Sequence, residues 1–274
     1  MKNCRLFQIV DRFVLIVMAL NSPEEIPQLM ASLQSSDLQV CLKAATSLAI
    51  IARRTNEQKQ IIIDEGAVPH LVKLFESTEN KLIEAAARLI LELTYGTNYQ
   101  RQVLIDEGVI PRLVELLQSP STPNFTKKMI LEILVELANG TNKQTDQIIQ
   151  TDVITSLIDL LDSDNEVIAV EAARALSYVM IETEKQTNQI IQAGVIEGFI
   201  QLLKSGNAVI VVEAVKALVN ISNGSTELRE KVIKSGTRPL LMALSESSNL
   251  AMRDQATKAL SILDGPNHVS SDSK

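Results

Sequence analysis

The chain contains no tryptophan, only three tyrosines and five phenylalanines, so aromatic residues make up 3% of its 274 positions. Stacking platforms for RNA or single-stranded DNA are built from such side chains, and nucleic acid is not an expected partner. Glycine (10) and proline (8) are also scarce, too few for the turns of a β-sandwich or for glycine-rich phosphate loops. Cys4 and Cys41 are the only cysteines; they form neither a disulfide framework nor a CxxC metal site, and they point to a reducing compartment, cytoplasm or nucleus. Positive charge is not in excess: the net charge of −7 disfavours a nonspecific grip on nucleic acid or on an anionic membrane. The longest apolar run, Phe13 to Leu20, is too short to cross a bilayer. Lys2 and Arg5 give it a loose likeness to a secretory leader, but Asp11 and Arg12 interrupt the stretch and no good cleavage site follows. A buried first helix is the better reading. Catalytic signatures such as GxxxxGK(S/T), GxGxxG, HExxH and GxSxG are missing, and His70 and His268 stand far apart. The expectation is a non-enzymatic chain without cofactor or metal.

What the chain does have is 46% hydrophobic residues, chiefly Leu, Ile, Val and Ala, alongside 22% charged ones. That is the composition of a folded protein of closely packed helices. The apolar residues are also periodic. Ile63-Asp64-Glu65-Gly66-Ala67-Val68-Pro69 and Ile105-Asp106-Glu107-Gly108-Val109-Ile110-Pro111 are nearly identical, and the site recurs at Ile149 to Thr155, Ile191 to Glu197 and Ile233 to Pro239. The proline position falls at 27, 69, 111, 155, 197 and 239, in steps of 42, 42, 44, 42 and 42. Each copy reads as three helices. A short one such as Gln58 to Asp64 closes at a glycine, a second starts at the proline, and a polar break precedes a longer third helix such as Leu82 to Thr94, apolar on two faces. The extra two residues of the 44-residue step lie within Gln118 to Asn124, where a loop is expected to absorb them.

The third helices carry a polar column. Thr46, Arg88, Glu132, Arg174, Lys216 and Lys258 occupy equivalent sites, and four residues later on the same face come Ile50, Glu92, Glu136, Tyr178, Asn220 and Ile262. A row of such rungs is a candidate groove for an extended peptide, with the Arg174, Lys216 and Lys258 end favouring acidic ligand residues and Glu92, Glu132 and Glu136 favouring a basic one. The plain alternative is a wet face of i,i+4 ion pairs such as Arg88 with Glu92 and Lys128 with Glu132.

Three helices per period of about 42 residues, with Gly-x-x-Pro between the first and second, resemble the armadillo repeat over residues 14 to 265. Within that family, Asp106 to Leu117 and Glu213 to Gly224 are most similar to importin-α. The resemblance implies an all-α fold, a right-handed α-α superhelix of about six repeats (14–55, 56–97, 98–141, 142–184, 185–225 and 226–266) in one solenoid domain spanning 1–266. It implies a concave groove lined by the third helices that takes an extended peptide segment of a partner protein. The matching importin-α sites hold a Trp and an Asn that grip a basic peptide; here only Asn220 matches. An adaptor or scaffold is therefore favoured over a nuclear-import receptor. Recruitment of substrates for a ligase or kinase complex is a further possibility.

The ends differ. Counting back 42 from Thr46 lands on Cys4, so residues 1–13 are expected to be the remnant of a preceding third helix rather than a basic importin-β-binding segment. Phe13, Leu15, Ile16 and Val17 would leave an apolar edge open to self-association. Residues 267–274 read as a polar tail.

Overall fold

The computed structural model describes residues 23–179 and 184–265. The expected remnant at 1–13, the apolar edge Phe13, Leu15, Ile16 and Val17, and the tail at 267–274 lie outside the described residues. Those described form a 3-10 turn, Pro23–Glu25, and seventeen α-helices. After α1 (Ile26–Leu33) and α2 (Leu38–Ala52) they recur in threes: α3 (Asn56–Asp64), α4 (Ala67–Leu74) and α5 (Asn80–Thr94); α6 (Asn98–Asp106), α7 (Val109–Gln118) and α8 (Asn124–Ala138). Then come α9 (Asn142–Ile149), α10 (Val153–Leu161) and α11 (Glu166–Val179); α12 (Glu184–Gln192), α13 (Val195–Leu202) and α14 (Ala208–Gly224); α15 (Thr226–Lys234), α16 (Thr237–Ser245) and α17 (Leu250–Asp264).

The punctuation is local chemistry repeated. Gly66, Gly108, Gly194 and Gly236 adopt positive φ of 79°, 76°, 93° and 82° between the first and second helices, a conformation that costs a residue with a Cβ about 1–2 kcal/mol. The fourth repeat has Asp152 at the equivalent position and joins its two helices without a positive φ, at −72°. First helices start at Thr55, Thr97, Thr141 or Ser225, whose hydroxyls accept backbone N–H groups of the first turn. Third helices α2, α11, α14 and α17 start at Asp37, Asn165, Asn207 and Asn249, whose side-chain oxygens do the same.

The two inserted residues are not in a loop, as expected, but in a helix. The second helix of the third repeat, α7, has ten residues where α4 has eight, and the connections Phe75–Glu79 and Ser119–Pro123 are equally long. Extending a helix whose Leu113, Val114, Leu116 and Leu117 are buried keeps its apolar stripe intact while the loop retains its geometry.

Packing divides the chain into two compact units, one ending at Arg112 and one beginning at Leu113. In the first, the third helices α2 and α5 lie side by side, with α1 on α2 and α4 on α5. In the second, α8, α11, α14 and α17 pack each on the next, flanked by α10, α13 and α16. Third helices are the core: Ala86, Ala87, Leu89, Ile90 and Leu93 of α5, and Ala172, Ala173 and Leu176 of α11, are fully buried. Each such Leu or Ile contributes about 1.5–3 kcal/mol.

One polar side chain in the first unit joins neighbouring repeats. Gln100 is 2% exposed. Its Nε2 donates to the Asn56 carbonyl (2.8 Å) and to Gln60 Oε1 (3.2 Å), while its Oε1 accepts from the Thr97 N–H at 2.9 Å. It therefore closes the cap of its own helix and ties α6 to α3 in one step.

Candidate functional site

Residues four apart on a helix share a face, and the packed third helices set these faces beside one another. The structure thus brings each repeat's two rung residues onto one surface, and does so within each unit. In the first unit the rungs are Thr46 and Ile50 on α2 and Arg88 and Glu92 on α5; they line a cleft of about 530 Å³ between these helices. In the second they are Glu132 and Glu136 on α8, Arg174 and Tyr178 on α11, Lys216 and Asn220 on α14, and Lys258 and Ile262 on α17. Arg88, Tyr178, Lys216, Asn220 and Lys258 are exposed, and Glu92, Glu132, Glu136 and Arg174 are half-buried.

The charges on these rungs are mostly engaged already. Arg88 bonds Glu84 at 3.0 Å, not Glu92. Glu92 instead meets Arg53, at the end of the preceding third helix, at 3.0 Å. Glu92 also attracts Lys59, whose burial pushes its ammonium below the usual lysine range. Glu132 is held by Lys128, and that hydrogen bond raises the Lys128 ammonium above its ordinary value, helped by the field of Glu171. Arg174 bonds Glu171 at 3.0 Å, and Lys216 bonds Glu213 at 2.9 Å. Both acids are on the same helix three residues earlier, with side chains far less exposed than their partners. Among the described residues only Glu136 and Lys258 are rung charges without an ion-pair partner.

A second column was not singled out from the sequence. Seven residues before the rungs, two helical turns away on the same face, stand Phe125, Val167 and Val209, which are 58%, 52% and 56% exposed. Their 42-residue spacing was the available signal; it was masked because an apolar residue near the start of an apolar helix reads as core. Tyr178, 42% exposed, and Ile50, 41% exposed, add apolar surface to the rungs themselves.

Among the described residues no group of three or more His, Cys, Asp or Glu side chains could hold a metal ion. No helix among them is long and apolar enough to cross a membrane.

Comparison with known families matches residues 55–95, 97–123, 141–181 and 183–223 to the model described as Armadillo/beta-catenin-like repeat. Among curated proteins none matches. Solved structures do. A designed armadillo repeat protein is 30% identical with a TM-score of 0.76, covering 87% of this chain and 100% of its own. A computationally designed one for modular peptide recognition is also 30% identical, with a TM-score of 0.78, covering 87% and 99%. A third, solved in complex with the peptide (KR)4, has 30% identity, a TM-score of 0.80 and the same coverages.

Proposed function

Since the chain belongs to the armadillo/β-catenin-like repeat family, we propose that it is a protein-interaction scaffold whose third-helix faces hold an extended peptide segment of a partner protein. The observation that carries this reading is the exposed ladder α8, α11, α14 and α17, where polar rungs recur every 42 residues over a buried apolar core. A related designed protein was solved in complex with the peptide (KR)4, which supports a peptide as the ligand.

The chemistry suits a peptide rather than a small molecule. The Asn220 amide both donates and accepts, as a peptide group requires. Arg174 and Lys216, tethered by Glu171 and Glu213, present hydrogen-bond donors without a free charge, so an acidic ligand gains less from them than their type alone implies. A nuclear-import role is the second reading, favoured by the basic peptide on the designed relative. It requires Lys/Arg-rich peptides to bind through Asn220 and Glu136.

The test is titration of fluorescent ten-residue peptides (Lys/Arg-rich, Asp/Glu-rich and mixed) into the full chain. An Arg174→Glu, Lys216→Glu, Lys258→Glu variant serves as the control. Saturable binding that the variant changes at least tenfold is expected. Binding unaffected by the variant would remove the groove from the reading, and no binding by any peptide would remove the reading itself.

A further inference from the structure

We propose that the ladder of the second unit selects a two-edged extended peptide of about nine residues. One edge of the ligand is apolar, resting on Phe125, Val167 and Val209, and the other is polar, with a basic residue against Glu136 and an acidic one against Lys258. The inference rests on the peptide-scaffold reading above and names the chemistry of its ligand.

Three placements carry it. First, the apolar column runs parallel to the rung column on three of its four helices, α8, α11 and α14. Seven residues of α-helix separate them, about 10.5 Å. A backbone laid between the columns sends successive side chains to opposite sides, one toward Phe125, Val167 and Val209 and the next toward Arg174 and Lys216. Water-exposed apolar side chains aligned on three adjacent helices favour burial by an apolar partner, at roughly 25 cal/mol per Å² covered.

Second, the interior of the charged column is neutral pair by pair. Lys128 with Glu132, Glu171 with Arg174 and Glu213 with Lys216 each close on their own helix. A uniformly charged ligand would have to desolvate these pairs without gaining a net opposite charge, so the middle of the ligand's polar edge is best served by uncharged hydrogen-bonding side chains. The backbone itself finds Asn220.

Third, the two rung charges left without partners have opposite sign and stand on the outer helices, Glu136 on α8 and Lys258 on α17. Asp254, one turn before Lys258, closes no ion pair with it. Three helix spacings of up to about 10 Å separate α8 from α17, a span of about nine extended residues at about 3.3 Å each. Opposite charges at the two ends of the ligand then fix its direction as well as its register, because reversing the peptide places like charges together at both ends.

The test is selection of ten-residue peptides from a random displayed library on the full chain, followed by fluorescence titration of the enriched sequences. An alternating apolar and polar consensus with a basic residue at one end and an acidic one at the other is expected. Phe125→Ser, Val167→Ser and Val209→Ser together should weaken it at least tenfold, with the circular dichroism and urea midpoint unchanged. Exchanging Glu136→Lys with Lys258→Glu should reverse the preferred end charges. A Lys/Arg-only or Asp/Glu-only consensus, or affinity unchanged by the triple serine variant, overturns this inference and leaves the scaffold reading standing. No enrichment at all overturns both.

Discussion

Replacing Gln100 by leucine keeps its volume and removes its polar end, and the structure gives the cost. Three hydrogen bonds disappear, to the Asn56 carbonyl, to Gln60 Oε1 and from the Thr97 N–H. Typical net values are about 0.5–1.5 kcal/mol each, and backbone groups left unpaired at a site 2% exposed cost about 1–3 kcal/mol. Because Gln60 is near solvent and regains water, the expected loss is about 2–4 kcal/mol rather than the full sum. The bonds join α6 to α3, so the loss falls on the interface between two repeats and not on one helix alone. Urea unfolding followed by circular dichroism measures it, with amide exchange along Asn56–Asp64 as the local readout. Tyr99→Leu, 66% exposed on the same helix, is the control and should stay within about 0.5 kcal/mol. A Gln100→Leu loss below about 0.5 kcal/mol, or unaltered exchange in α3, would refute the idea that this side chain staples the repeats.

Other substitutions separate backbone strain, burial and charge. Gly108→Ala has open space for its Cβ but φ +76°, and a loss of about 1–2 kcal/mol is expected; Gly206→Ala, in open space without a positive φ, should be neutral or gain up to about 1 kcal/mol. Both are read as urea midpoints. Lys59→Met should raise stability at neutral pH, because desolvation is the larger effect on that ammonium and Arg53 still pairs Glu92. In the parent chain the depressed Lys59 makes stability rise with pH between its folded and unfolded pKa values, where only the unfolded chain holds the proton; the variant should flatten that rise. Burial raises the Cys41 thiol, so stability from this group is present below the ordinary thiol pKa and lost as pH climbs through the raised one; Cys41→Ala should remove that alkaline decline.

The repeat was legible because it is written in residues with strong local preferences. Glycines at 66, 108, 194 and 236 and prolines at 69, 111 and 239 mark the same turn in successive copies, and helical spacing of Leu and Val supplies the rest. Thr-Asn-x-Gln at 55–58, 97–100 and 141–144 carried the capping signal, yet burial of Gln100 and Gln144 was not legible, since glutamine is normally a surface residue. The rung residues were found by register alone. Their partners were not: whether Glu92 turns to Arg88 on its own helix or to Arg53 on the neighbour depends on how two helices are rotated against each other, which a periodic sequence does not specify. The two-residue insertion shows the same limit, because a proline-rich stretch reads as loop even where the helix before it continues to Gln118.

The constant 42-residue step from α8 to α17 also sets a ruler. Excising residues 167–208, which joins Glu166 to Val209, would remove one rung and one hydrophobic step together and return every surviving side chain to its face. A cut of 40 or 44 residues would turn the remaining helices about their axes and misalign both columns. Ligand length in such a protein changes only in whole notches, about three residues of peptide at a time, and genetic gain or loss of a repeat is the operation that moves the mark.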